Sequence, residues 1–283
     1  GLWHLKGSMQ SLSDHLAKSF LRDGGNLLLK HRVMKISLDS ADSLWQITSK
    51  NAQGDYIKLK SKDVIFSLPP QCLFDMIPDS MNTDNSYFKT LRKLPNPTGA
   101  VVFYGAIERS LLPPNIPNHL QIKTSLFDSI FISISSENDG RAPCGQATFI
   151  ASIFCKTDDW FSISTNEYNE KKKYILTQII EILNEYFGLQ FEDWLHSELA
   201  TPKSFLKWTG RPAGIVGGLG QYPFSSGLFG LSSRTPFKGF WLCGDSIHPG
   251  EGTAGVTQSA LMACRQLIAS RENIRRSNRL SRK

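Results

Sequence analysis

Residues 244–257 read Gly-Asp-Ser-Ile-His-Pro-Gly-Glu-Gly-Thr-Ala-Gly-Val-Thr. Three side chains here can carry charge or move a proton: Asp245, His248 and Glu251. They are set among Gly244, Gly250, Gly252 and Gly255, and Pro249 and these glycines make a tight loop in which backbone can approach a ligand closely. From Ala254 onward Val256, Ala260, Leu261, Cys264, Leu267 and Ile268 recur at helical spacing. An acid followed by a glycine loop that opens a helix suits an electron-rich or anionic group, because the first N–H groups and the helix dipole favour negative charge. His248 and Glu251 are placed to shuttle a proton, with loop structuring as the plainer reading of each. They do not form a metal motif: Pro249-Gly250 prevents the i, i+4 helical display that H-E-x-x-H requires. No spacing suggests a Ser/His/Asp or Cys/His triad.

The loop needs elements to hold it. Phe240–Cys243 is a short apolar run, right for a buried strand that delivers Asp245 at its end. Upstream, 8–22 reads as an amphipathic helix with Met9, Leu12, Leu16 and Phe20 on one stripe, stopped by Gly24-Gly25. A strand is expected over 27–37, and Trp45, Ile47, Ile57 and Leu59 alternate across the turn 51–55 as a hairpin. A buried strand over 63–68 ends at Pro69-Pro70. The segment 70–236 differs in character: 98–107, 129–136 and 146–155 are strand-like, whereas 115–140 includes looser polar connections. Ser164 to Glu167 is a capping box that opens a helix ending at Gly188, with Ile175, Ile179, Ile182 and Tyr186 on one stripe. Gly217, Gly218 and Gly220 do not fit G-x-G-x-x-G and read as a glycine-rich turn. Arg211, just before them, is either a site residue or half of a structural ion pair.

The 283-residue chain can bury a sizeable core. Part of its +7 charge sits in 271–283, a basic segment that suits either a solvated end or an anionic membrane surface. No nucleic-acid motif accompanies that charge. Five scattered cysteines, none in C-x-x-C, suggest reduced thiols and an intracellular setting. No apolar run approaches the roughly 20 residues of a membrane helix. The opening Gly-Leu-Trp-His-Leu reads as the middle of a longer chain.

The run 240–256 closely resembles the C-terminal flavin-contacting signature of the FAD-dependent phytoene desaturase and carotenoid isomerase group. Within it, the run looks most like the cyanobacterial-type carotenoid 3,4-desaturases. The resemblance implies an α/β fold: part of a Rossmann-type FAD-binding domain, without its N-terminal dinucleotide half, and an inserted α+β substrate domain with an antiparallel sheet. It implies FAD-domain parts at 1–69 and 237–270, a substrate domain at 70–236 and a basic tail at 271–283. Asp245 would bind the ribityl or pyrophosphate part of FAD, beside Gly244, Gly250 and Gly252. The backbone around Gly255, Val256 and Thr257 would face the pyrimidine edge of the ring, and Val33 would meet the adenine through its backbone. A stretch very similar to 201–220 lies near the flavin and the substrate channel in these relatives, which makes Arg211 a site candidate. The implied partners are a carotenoid, a peripheral membrane surface (thylakoid or plasma membrane if cyanobacterial) and quinone or oxygen as electron acceptor. The implied reaction is desaturation. The alternatives are a carotenoid cis–trans isomerase of the same group, a more distant amine or protoporphyrinogen-type oxidase, and a flavin-free remnant.

Overall fold

The computed structural model describes residues 5–39, 41–78, 86–94, 98–220, 222–223 and 226–280. The expectation about the opening residues therefore falls largely outside the described residues, as do the last three residues of the basic tail. In chain order the principal elements are α1 (Ser8–Arg22), β1 (Arg32–Leu38), β2 (Trp45–Lys50), β3 (Tyr56–Ser61), β4 (Val64–Phe66), α2 (Ser86–Arg92), β5 (Thr98–Glu108), β6 (His119–Thr124), β7 (Asp128–Ile134), β8 (Gln146–Lys156), α3 (Thr165–Phe187), β9 (Trp194–Ala200), α4 (Pro202–Thr209), β10 (Phe240–Leu242) and α5 (Gly252–Leu280).

The chain divides into two compact units, Gly1–Leu27 with Gly99–Gly214 and Leu28–Thr98 with Ile215–Lys283. The second unit includes α2, because Phe88 and Leu91 enter the same core as Trp45, Phe66 and Phe240.

The first unit is an antiparallel sheet in the order β6-β7-β8-β5-β9. Along β7 and β8 every second residue is buried: Ile130, Ile132 and Ile134, then Ala147, Phe149, Ala151 and Ile153. Period-two burial of this kind marks a sheet packed on one face, and the packing partner is α3. The capping box opens α3 as expected, with Glu167 N–H donating to Ser164 Oγ at 3.3 Å and Ser164 N–H to Glu167 at 2.8 Å. The buried stripe of α3 is Ile179, Ile180, Leu183 and Phe187; Tyr186, expected inside, is 55% exposed. A stripe at i, i+1, i+4 and i+8 puts the centre of the face one residue away from the expected line. β6 arises within the stretch expected to be loose: it is an edge strand whose polar residues alternate with Leu120 and Ile122. The helix α1 has the expected bounds, yet Met9, Leu16 and Phe20 of its stripe are all more than half exposed.

The second unit holds the meander β1-β2-β3 and the two-stranded parallel sheet β10-β4. The strand expected from residue 27 starts only at Arg32, because Lys30 takes φ 58 and turns the chain. The hairpin is as expected, with Lys50 opposite Tyr56 and Asn51 N–H donating to Asp55 O at 3.0 Å. Trp45 is fully buried, donates Nε1–H to Lys238 O at 3.0 Å and lies 4.8 Å from the Phe240 ring centroid. Tying one strand of the meander to the entry of β10 fixes where that strand can run. Most of the basic segment 271–283 continues α5, whose helix reaches Leu280. No helix among the described residues is long and apolar enough to cross a membrane.

Candidate functional site

The site grows from β10. Phe240, Trp241 and Leu242 are all buried and pair in parallel with Val64, Ile65 and Phe66 of β4. Cys243 N–H extends the ladder to Phe66 O at 3.0 Å. Gly244 then turns at φ 114, a conformation that a side chain rarely accepts, and a Cβ there would stand 3.2 Å from Ser67 O.

The turn is held by a residue not singled out in the sequence. Ser259 is fully buried on α5; its Oγ accepts from Gly244 N–H at 3.0 Å and lies 3.1 Å from Gly244 O and 2.9 Å from Val256 O. It fastens the end of β10 to the first turns of the helix. The available signal was a small polar residue at 259, between Val256 and Ala263 on the apolar stripe, which is unusual unless its hydroxyl has work to do.

Asp245 is half-buried and accepts from Ser246 Oγ at 3.3 Å. Ile247 N–H returns to Gly244 O at 3.2 Å, and Gly250 N–H to Ile247 O at 2.9 Å. Gly255 could not carry a side chain, since a Cβ would run into the Gly250 carbonyl. At Gly252 the opposite holds: nothing lies within 4 Å of the place of a Cβ, and Thr253, Ala254 and Thr257 are exposed. The N-terminus of α5 is thus an open surface nearly free of bulky side chains, with helix N–H groups directed outward. A planar ring with hydrogen-bond acceptors at its edge fits such a surface, so the residues present suit the flavin that the resemblance suggests.

The glycine turn after Arg211 belongs to the same structure. Gly218 packs so closely on Asp245 that a Cβ would strike its carbonyl oxygen. Glu251 Oε2 accepts from Gly218 N–H at 3.2 Å, which joins the 217–220 turn to the 244–252 loop. His248 donates its backbone N–H to Leu231 O at 2.8 Å, and its ring lies against Gly230. Its Nδ1 is enclosed, with no hydrogen-bond partner among the described residues, beside a void of about 20 Å³ lined by Ser226, Asp245 and His248 among others. The thiol of Cys243 is pushed up by burial and then by the neighbouring Cys264.

The structure therefore brings Gly244, Asp245, His248, Gly250, Glu251, Gly252, Gly255, Val256 and Thr257 into one strand–loop–helix joint. Val33 lies in the same unit, on β1, with its side chain half-buried against the core and its backbone paired with Ser49 next to a register shift. Arg211 stands in the other unit, after the Gly210 cap of α4, with its N–H donating to Thr209 Oγ1 at 3.2 Å.

Over 95% of the chain the sequence is 25% identical to prolycopene isomerase 2 of an Oncidium hybrid cultivar and 24% identical to the carrot (Daucus carota) prolycopene isomerase. The chain is a distant homologue of prolycopene isomerase. A rat pyridine nucleotide-disulfide oxidoreductase domain-containing protein is 22% identical over 90% of the chain. The chain spans about half the length of these relatives: 46%, 44% and 49%. No family model matches. Among solved structures, an oxidoreductase from Methanosarcina mazei superposes with TM-score 0.55 at 15% identity, over 93% of this chain and 55% of that one. A Pyrococcus furiosus protein gives 0.58 at 15% identity, over 93% and 53%. The shared architecture is a mixed α/β fold with antiparallel sheets.

Proposed function

We propose that this chain forms the flavin-loop and substrate-domain part of an FAD-dependent oxidoreductase whose substrate is a carotenoid, and that the reaction is cis–trans isomerisation. The observation that carries the reading is the joint at the end of β10: a half-buried acid, an open glycine surface and a helix N-terminus within residues 244–257. The prolycopene isomerases, alike over 95% of the chain, favour isomerisation. Desaturation is the second reading, favoured by the likeness of the run 240–256 to the cyanobacterial-type carotenoid desaturases.

In this reading Asp245 accepts hydrogen bonds from the hydroxyl-bearing arm of the cofactor, and the backbone of 255–257 receives the ring edge. Val33 contributes backbone to the adenine end. When bound, the flavin supplies the electron chemistry that side chains lack. The dipole of α5 stabilises negative charge at its N-terminus. Gly218 and Glu251 keep the loop closed behind Asp245. His248 and Glu251, as proton carriers, complete the proposed site. The setting is an intracellular, peripheral membrane surface, where an apolar substrate dissolves; quinone or oxygen accepts electrons in the desaturase reading.

The test has two stages. The purified chain is incubated with FAD and desalted, and its absorbance is read; retained flavin that D245A releases supports the site. The chain is then given a poly-cis carotene with oxidised or with reduced flavin. An all-trans product with the same number of double bonds, formed only with reduced flavin, supports isomerisation. A product two hydrogens poorer, formed with oxidised flavin, supports desaturation. Flavin retention that D245A leaves unchanged would sink the assignment of the joint.

A further inference from the structure

The two most exposed large apolar side chains among the described residues are Trp208 at 80% and Phe154 at 78%. Both stand at one end of the five-stranded sheet. Phe154 lies near the close of β8, and α4, which carries Trp208, leaves from the close of β9. Gly99, at the start of β5, links the two. A Cβ there would stand 2.7 Å from the Thr157 side chain, 3.2 Å from Pro202 and 3.5 Å from Cys155 O. Phe161 and Leu206 add exposed apolar surface, the first on the short helical turn Asp158–Phe161, which packs on both β8 and α4.

Lysines are set among these rings. Lys207 Nζ lies 5.1 Å from the Trp208 ring, Lys203 Nζ 4.6 Å from that of Tyr168 and Lys171 Nζ 4.7 Å from that of Trp160. Lys156 is exposed two residues after Phe154. Over 154–173 and 200–211 seven cations, six lysines and Arg211, stand against the four carboxylates of Asp158, Asp159, Glu167 and Glu170, so the surface is positive on balance. This mixture separates the two kinds of occupant. The core of a protein interface is enriched in Trp and Phe but depleted of Lys. The headgroup layer of a bilayer takes both, with aromatic rings at headgroup level and lysines attracted to anionic lipid phosphates.

We infer that this end of the sheet is where the protein touches an anionic lipid bilayer, with Trp208 and Phe154 at headgroup level and Lys156, Lys203 and Lys207 on the lipid phosphates. The inference rests on the membrane setting proposed above and gives it a place on the chain. It needs neither flavin nor carotenoid.

The experiment floats the full chain with vesicles of mixed phosphatidylglycerol and phosphatidylcholine, and with phosphatidylcholine alone. The unaltered chain is expected to float with the anionic vesicles. W208S/F154S should weaken that binding roughly tenfold or more, the effect of losing two buried aromatic anchors. K203A/K207A should weaken it roughly tenfold on anionic vesicles and by less than about twofold on neutral ones. An unchanged urea midpoint in each variant shows that the fold is intact. Vesicles with brominated acyl chains should quench tryptophan fluorescence in the parent, and W208F should lose that quenching while still floating. The control F20S alters the exposed stripe of α1 and should change flotation by less than about twofold. Flotation that W208S/F154S leaves unchanged, or that depends on Phe20 instead, overturns the docking place and leaves the membrane setting standing. A parent chain that does not float with anionic vesicles overturns both. Neither result bears on the flavin joint, since the vesicles carry no FAD.

Discussion

Replacing Ser259 by Ala removes a single oxygen, and the structure sets what that should cost. The hydroxyl accepts from Gly244 N–H at 3.0 Å and has two carbonyls, of Gly244 and Val256, within 3.1 Å. Ser259 is fully buried, and Ala leaves almost no void, so packing loss is small. What remains is one lost hydrogen bond and a Gly244 N–H left without its acceptor. A net hydrogen bond is worth about 1 kcal/mol, and an unsatisfied buried donor costs about 1–3 kcal/mol. Because Gly244 is only half-buried, water can partly replace the acceptor, and the expected loss is about 1–2 kcal/mol. Urea unfolding gives the global value, from a shifted midpoint at constant slope. Amide hydrogen exchange gives the local one: protection of Gly244 N–H should fall while that of Ile132 N–H, in the sheet of the other unit, stays the same. The companion S232A, at an exposed position, should change stability by less than about 0.5 kcal/mol. If S259A unfolds at the same urea concentration as the parent and Gly244 exchanges no faster, the idea that Ser259 fastens strand to helix is wrong.

Three further outcomes follow from the same reasoning. G218A pushes a methyl into the Asp245 carbonyl and should cost about 1–3 kcal/mol, read as a lower urea midpoint together with faster proteolysis within 216–220. W45F deletes the bond to Lys238 O and part of a fully buried ring; a loss of about 1–3 kcal/mol is expected, and an unchanged midpoint would remove Trp45 as the tie between meander and β10. The Asp139 carboxyl is an acid-sensitive group: burial would raise its pKa, but the Arg141 side chain and the N–H groups of Arg141 and Ser136 outweigh this and hold it below its ordinary value. A lowered folded pKa gives stability that is complete above the unfolded value, about 3.9, and is lost as pH falls through the folded one. D139N should therefore flatten the decline of stability below about pH 4, as followed by circular dichroism in acid titrations.

The legible parts of the fold were those fixed by local chemistry. The helix Ser8–Arg22, the capping box at Ser164 and the hairpin turn at Asn51 each depend on residues within a few positions, and each has the expected place. What escaped depends on distant partners. β9 has little apolar alternation of its own and exists because it pairs with β5, Leu199 opposite Phe103. The face of α3 moved by one residue because the sheet, and not the helix, decides which stripe is covered. At the site, the acid and the glycines were readable from type and spacing. The bond from Glu251 to Gly218 was not, since it spans 33 residues and joins two loops that look unrelated in sequence. The stripe on α1 shows the converse, an apolar pattern that its own unit leaves uncovered.

The parallel pairing of β4 with β10 carries a consequence for biosynthesis. The two strands are about 175 residues apart, and the whole five-stranded sheet is encoded between them. At ribosomal speeds of about 5–20 residues per second, β4 emerges roughly 10–35 s before β10 exists. During that interval the sheet of the first unit has every strand it needs, while Phe66 and Trp45 wait for Phe240. The order of folding on the ribosome thus reverses the order of the sequence: the inserted unit can finish first, and the segment that precedes it must be held in solution until the last strand arrives.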